Sequence, residues 1–146
     1  MSGSSCLPTL EANFKVKANL LYFWHARRKP EILGGIIWDG AIVLSNYLET
    51  CEDLKGKRVI ELGAGLGLCG FVSALGCGAS EVVVTDIGEH VELTRQNIQQ
   101  NNSTGHMRAE ELWWGNDTSP FGQFDIGPAR LKFPPPTINH DVQDWF

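Results

Sequence analysis

No apolar run in the 146 residues reaches the roughly eighteen that a membrane-spanning helix needs. The N-terminus also lacks a basic segment followed by an apolar core and a cleavage site. These absences predict an intracellular protein, cytoplasmic with the nucleus as a second compartment, and no membrane partner. Basic charge is scarce: 12 Lys and Arg stand against 17 Asp and Glu, for a net charge of -5. Nucleic-acid binding needs clustered cations to neutralise phosphates, and Arg27-Arg28-Lys29 is too short a cluster to supply them, so no nucleic-acid partner is expected. Cys6, Cys51, Cys69 and Cys77 form no C-x-x-C pair, and no His lies at ligand spacing from them. That excludes the common metal sites and predicts buried or free thiols in a reducing compartment. There are no internal repeats. What is present, 42% hydrophobic and 20% charged residues, is the composition of a soluble globular protein. The length suits one domain but is short for a complete doubly wound nucleotide-binding enzyme.

Along the chain, residues 1–9 are Ser-rich and predict disorder. Phe14, Val16, Leu20 and Phe23 predict one or two strands between Leu10 and Phe23. "PEILGG" reads as a turn. "WDGAIVLSNYLETC" predicts an amphipathic helix, with Asp39 as its cap and Ala41, Leu44, Ser45 and Leu48 on its inner face. "RVIEL" and "EVVVTD" are β-branched, buried strands. A helix from Leu68 to Leu75 lies between them, ended by Gly76 and Gly78. "EHVELTRQNIQQNN" predicts a polar helix that turns Val91, Leu93, Thr94, Asn97 and Ile98 inward. "MRAEELWWG" predicts a third strand, and "FGQFDI" the beginning of a fourth. Strands alternating with helices predict an α/β fold with a doubly wound parallel sheet. After Ile126, "GPARLKFPPPTINHDVQDWF" holds four prolines and no periodicity, and reads as coil. The predicted organisation is an N-terminal extension (1–33), a ligand-binding domain (34–126) and a proline-rich tail (127–146).

The stretch "VIELGAGLGLCG" (59–70) can be counted in two registers. From Gly65 it spells G-x-G-x-x-G, a dinucleotide fingerprint; from Gly63 it spells E-x-G-x-G-x-G, which suits S-adenosylmethionine. Glu61 favours the second, because a carboxylate there can receive a cationic ligand amine but would repel a pyrophosphate. Asp86, ending the next strand, can bond ribose hydroxyls in either cofactor. A dinucleotide and a purely structural glycine turn stay as rivals. In the Gly63 register, Gly70 becomes a helix-packing position.

Together, "GGIIWDGAIVLSNYLE", "VIELGAGLGLCG", "VVVTD" and "LWWG" resemble the successive motifs of the methyltransferase-like protein-lysine methyltransferases. The resemblance runs from about Gly34 to Ile126. It implies a Rossmann-like, seven-strand class I methyltransferase sheet and S-adenosylmethionine as cofactor. It also implies a protein substrate or chaperone-like partner, methylated on lysine side chains. By this resemblance Trp38 borders the cofactor, Gly63, Ala64 and Gly65 pass beneath it, Asp86 binds its ribose and Trp114 lies near its adenine. Glu61 and Gly67 are secondary contacts, and Trp113 faces the other way. The rival structural readings are a core aromatic at a helix start for Trp38, a helix cap for Asp86 and a sheet-edge core residue for Trp114.

The family's lysine channel draws on an Asp-x-x-Tyr segment a few residues beyond an Asp like Asp125. Here "FDI" runs into "GPARLKF", and no tyrosine follows Tyr47. The resemblance therefore leaves the catalytic residue unassigned. It implies a sheet incomplete in its C-terminal half, as in a truncated isoform. The alternative function is a catalytically inactive module of the same fold that acts by protein–protein interaction.

Overall fold

The computed structural model describes residues 9–16, 19–25, 33–51, 53–101, 105–116 and 119–125. The expected disorder before Thr9, the Arg27-Arg28-Lys29 cluster, Cys6 and the coil from 127 onward lie outside the described residues.

The chain opens with an antiparallel hairpin of β1 (Thr9–Val16) and β2 (Asn19–His25). Alternation fixes its faces: Leu21 and Phe23 are buried, whereas Leu20 and Tyr22 face out. Phe23 meets Phe71 edge to face, with centroids 5.2 Å apart and planes at 89°, so the hairpin shares one core with the rest of the chain.

Helix α1 (Asp39–Cys51) buries Ser45 and Leu48 and packs Ala41, Ile42 and Leu44 against the same core. Its expected cap is corrected. The Trp38 carbonyl receives the Ala41 N–H at 2.9 Å and the Ile42 N–H at 3.3 Å, while Asp39 lies inside the first turn. There its negative charge still complements the helix dipole.

Three strands, β3 (Arg58–Leu62), β4 (Glu81–Asp86) and β5 (Met107–Glu111), form a parallel sheet in that spatial order. The middle strand buries Val82, Val83, Val84 and Thr85, which is why its sequence is continuously apolar instead of alternating. Right-handed crossovers in this order place both connecting helices on one face.

The first connection, α2 (Leu68–Phe71), continues into a π-helical turn over Val72–Gly76. Gly70 is its contact point. A Cβ there would lie 2.3 Å from Val84 Cγ1, so only glycine lets the helix approach the sheet this closely. The second, α3 (Glu89–Gln100), turns in the five residues that its sequence predicts, Val91, Leu93, Thr94, Asn97 and Ile98.

Asn97 also holds the hairpin: its Oδ1 accepts the Trp24 N–H at 2.7 Å, and its Nδ2 donates to the Trp24 carbonyl at 3.4 Å. One helical turn on, Asn101 repeats the exchange with Tyr22 at 2.8 and 2.7 Å. Two side-chain amides thus stand where a neighbouring strand would.

The expected fourth strand is not present among residues 119–125, which form a short 3-10 turn (Ser119–Phe121) and an irregular stretch. Asp125 nevertheless sits on the edge of β3 away from β4. Its N–H donates to the Arg58 carbonyl at 2.9 Å, and its Oδ2 accepts the Arg58 N–H at 2.9 Å. The Arg58 side chain binds Glu81 and the Gln123 carbonyl, and its guanidinium lies 4.9 Å from the Phe124 ring centroid.

Candidate functional site

The parallel strands all end at one rim, at Leu62, Asp86 and Glu111. In open α/β sheets this carboxyl end, where the strand-end loops gather, is where ligands bind. The β3 loop, residues 63–67, is drawn over the end of β4. Ala64 N–H donates to the Thr85 carbonyl at 2.9 Å, and Gly65 N–H donates to Asp86 Oδ2 at 2.7 Å. From the other side, Thr94 of α3 donates its hydroxyl to the Gly65 carbonyl. Gly65 has φ +54°, and a Cβ on it would lie 3.1 Å from the Gly34 carbonyl oxygen. The turn before α1 therefore closes directly on this loop.

Asp86 anchors the rim: besides Gly65, it accepts the Ile87 N–H at 2.8 Å and bonds His90 Nδ1 at 2.9 Å, both through Oδ1. Its own carbonyl receives the Leu112 N–H at 3.0 Å, which brings the segment after β5 alongside. Trp114 then lies over the loop, with Cζ2 3.2 Å from where a Gly63 Cβ would stand. Its side of the rim stays open to solvent, at 44% exposure. Trp113 takes a different role, donating Nε1–H to Glu111 at 3.0 Å.

Glu61 is the unusual group. It projects beneath α2 toward Gly70 and Cys69, and its Oε2 is buried with no hydrogen-bond partner among the described residues. Burial pushes its carboxyl up to about 8; the Gly70 N–H and the Cys69 thiol oppose the shift, and the Asp86 charge adds to it. Burial likewise pushes the Cys69 thiol up, with the Glu61 charge adding to the effect. Cys69 and Cys77 are both buried thiols, and the Cys77 thiol donates to the Leu48 carbonyl at 3.3 Å.

The structure thus brings Glu61, Gly63, Ala64, Gly65, Asp86 and Trp114 to one rim. Trp38 stands at the start of α1, close in sequence to the Gly34 turn that touches Gly65, and it is 53% exposed. Gly67 is buried behind the loop, against Thr94 and Met107. His90, Gly34 and Thr94 were not singled out from sequence as site residues. The one available signal was the spacing of His90 four residues after Asp86, which puts the two in reach across a helix start. A separate cleft of about 30 Å³, between β1, α1 and α2, is large enough for little more than one water and lies away from this rim.

Chemically, the rim offers a buried acid, a peptide loop that tolerates close approach, a strand-end carboxylate and an aromatic face. Those groups suit a ligand that combines an amine, a sugar diol and a flat ring. Among the described residues no group of three His, Cys, Asp or Glu side chains is placed to hold a metal, and no helix is long and apolar enough to cross a membrane.

A family model described as lysine methyltransferase matches residues 16–125. Protein N-lysine methyltransferase METTL21A of Danio rerio is 44% identical over 100 residues, covering 64% of this chain and 45% of the relative. EEF1A lysine methyltransferase 3 of Mus musculus is 39% identical over 93 residues, covering 62% of this chain and 39% of the relative. The chain therefore spans less than half the length of these curated relatives. Among solved structures, P. horikoshii TYW2 in complex with MeSAdo shares the fold, with a TM-score of 0.54 at 16% identity, over 74% of this chain and 37% of that one.

Proposed function

The chain belongs to the lysine methyltransferase family, and from that premise we propose that it holds S-adenosylmethionine on the β3–β4–β5 rim and serves methyl transfer to lysine side chains of a protein. The observation that carries this reading is the unpartnered, buried Glu61 Oε2 beside a glycine loop whose other side meets Asp86 and Trp114. An acid oxygen buried without a hydrogen bond suits the ammonium of an amino-acid moiety, whose charge would favour the ionised carboxylate, whereas a pyrophosphate would gain nothing from it, which disfavours a dinucleotide. Asp86 suits a ribose, and the Trp114 face suits an adenine.

When bound, the cofactor supplies an electrophilic methyl group on a sulfonium. The part left to the chain is alignment and exclusion of water. The loop fixes one end, Trp114 shields the other, and a lysine amine must reach the rim neutral, against its ordinary tendency to stay protonated. No residue of this chain is assigned to that deprotonation. The partner is then a protein that presents a lysine, a chaperone-like protein being one class. The cofactor unit is assigned to residues 34–126. Residence in the cytoplasm, with the nucleus as a second compartment, belongs to the same proposal and is supported by the buried thiol of Cys69, which is in no disulfide.

A second reading is a binding module of the same fold that does not turn over. It is favoured by the sequence after Asp125, which supplies neither an Asp-x-x-Tyr segment nor any tyrosine. Calorimetry with S-adenosylhomocysteine, NADH and the Trp114→Ala variant tests the cofactor, and transfer of labelled methyl to protein lysine tests the reaction. Binding of S-adenosylhomocysteine that weakens about tenfold in Trp114→Ala supports the site. Binding without transfer selects the second reading, and binding of NADH alone would sink both.

A further inference from the structure

Asp86 carries more donors than a ribose-binding acid has room for. A carboxylate offers about four lone-pair places. Three are filled by the protein: Gly65 N–H on Oδ2 at 2.7 Å, and on Oδ1 both Ile87 N–H at 2.8 Å and His90 Nδ1 at 2.9 Å. Because Oδ1 can only accept, Nδ1 of the imidazole carries the proton in this pair. A ribose brings two neighbouring hydroxyl donors, and one place remains for them.

The three donors are not equally able to leave. Gly65 and Ile87 contribute backbone groups of the loop and strand end that build the rim, and Gly65 is backed by the Gly34 carbonyl. His90 contributes a side chain with two rotatable bonds. Its ring fills the space beside Gly34, where a Cβ would meet Nδ1 at 2.7 Å and Cγ at 2.9 Å. Position 34 therefore has room for the imidazole only because it is glycine.

Resting on the reading that this rim holds a nucleoside cofactor, we infer that His90 is a built-in competitor for Asp86: its Nδ1–H fills the place that the second ribose hydroxyl requires, and cofactor binding displaces the imidazole. Without ligand the ring keeps a half-buried carboxylate satisfied, which an empty rim would otherwise leave short of a donor. With ligand, part of the binding free energy is spent in parting the pair.

The test is calorimetry of S-adenosylhomocysteine on the full 146-residue chain, with NMR of the His90 imidazole in the wild-type protein. His90→Ala is expected to bind roughly three- to tenfold tighter, consistent with loss of one competing hydrogen bond to a charged group. His90→Asn, which returns an N–H donor near the place of Nδ1, is expected to stay close to wild type. The wild-type ring signal is expected to move on saturation, a readout that needs no variant to fold. Equal or weaker binding by His90→Ala, or a ring signal unmoved at saturation, overturns the displacement and leaves the cofactor site standing. An absence of binding in the wild type and in both variants overturns the cofactor reading, and the competitor with it.

Discussion

Gly70 and Val84 are in contact so close that a single added carbon would lie 2.3 Å from Val84 Cγ1. This is where α2 rests on the centre of the sheet, and Glu61 Oε2 and Met107 Cε crowd the same point at 3.2 and 2.9 Å. Gly70→Ala is expected to destabilise the chain by about 3 kcal/mol through overpacking. Adding Val84→Ala should recover part of that loss, because the two sites share one contact. Urea unfolding of the two single variants and the double variant measures the coupling; strict additivity would contradict the contact.

Glu61 makes stability fall as pH rises. Its folded value is raised to about 8, whereas in the unfolded chain it titrates at an ordinary carboxylate value. Below the unfolded value both states hold the proton and the contribution is complete. Between about 4.5 and about 8 the unfolded state has released the proton and the folded state retains it, so stability is lost across that window. The loss is on the order of a few kcal/mol. Urea midpoints taken from pH 5 to pH 8 should fall in the wild type and stay flatter in Glu61→Gln.

Glu81 acts in the opposite direction. Hydrogen bonds from Arg58 and Arg108 hold its carboxyl down at about 2. Its contribution is present above the unfolded carboxylate range and is lost as pH falls from about 4.5 toward about 2. Glu81→Gln should therefore blunt the acid limb of unfolding without altering the neutral limb. An acid midpoint unchanged in Glu81→Gln would show that the pair contributes nothing.

Asn97 should be hard to replace. It is fully buried, at 0% exposure, and makes both an accepted and a donated bond with Trp24. Asn97→Ala is expected to cost about 2 kcal/mol, since it strands the half-buried Trp24 peptide group, and the more exposed Asn101→Ala should cost less. Amide hydrogen exchange offers a local measure. The Tyr22 and Trp24 amides should be protected in the wild type, and Trp24 should lose that protection selectively in Asn97→Ala.

Where periodicity was strong, the sequence was readable. Val82, Val83 and Val84 announce a strand covered on both faces, and the spacing of Val91, Thr94 and Ile98 announces the inner face of α3. The glycine run, Asp86 and Trp114 could be placed on one rim because strand-end loops in a parallel sheet converge. What escaped the reading depends on atoms that meet only after folding. Trp38, not Asp39, caps α1 because the cap is made by a backbone carbonyl, which carries no residue signature. Only the four-residue spacing hints that His90 will turn back onto Asp86, and nothing in "NIQQN" discloses that two amides will imitate a strand. The stretch before Asp125 looked like a strand from its apolar residues, but Phe124 is taken up by the Arg58 guanidinium.

The Arg58–Asp125 exchange joins residues 67 positions apart in sequence. The hairpin clasps are as distant, 73 positions for Trp24–Asn97 and 79 for Tyr22–Asn101, so all three close long loops at a comparable entropic cost. Segments near both ends of the described chain are thus tied to its middle, and neither tie can form until residues far apart in sequence have met.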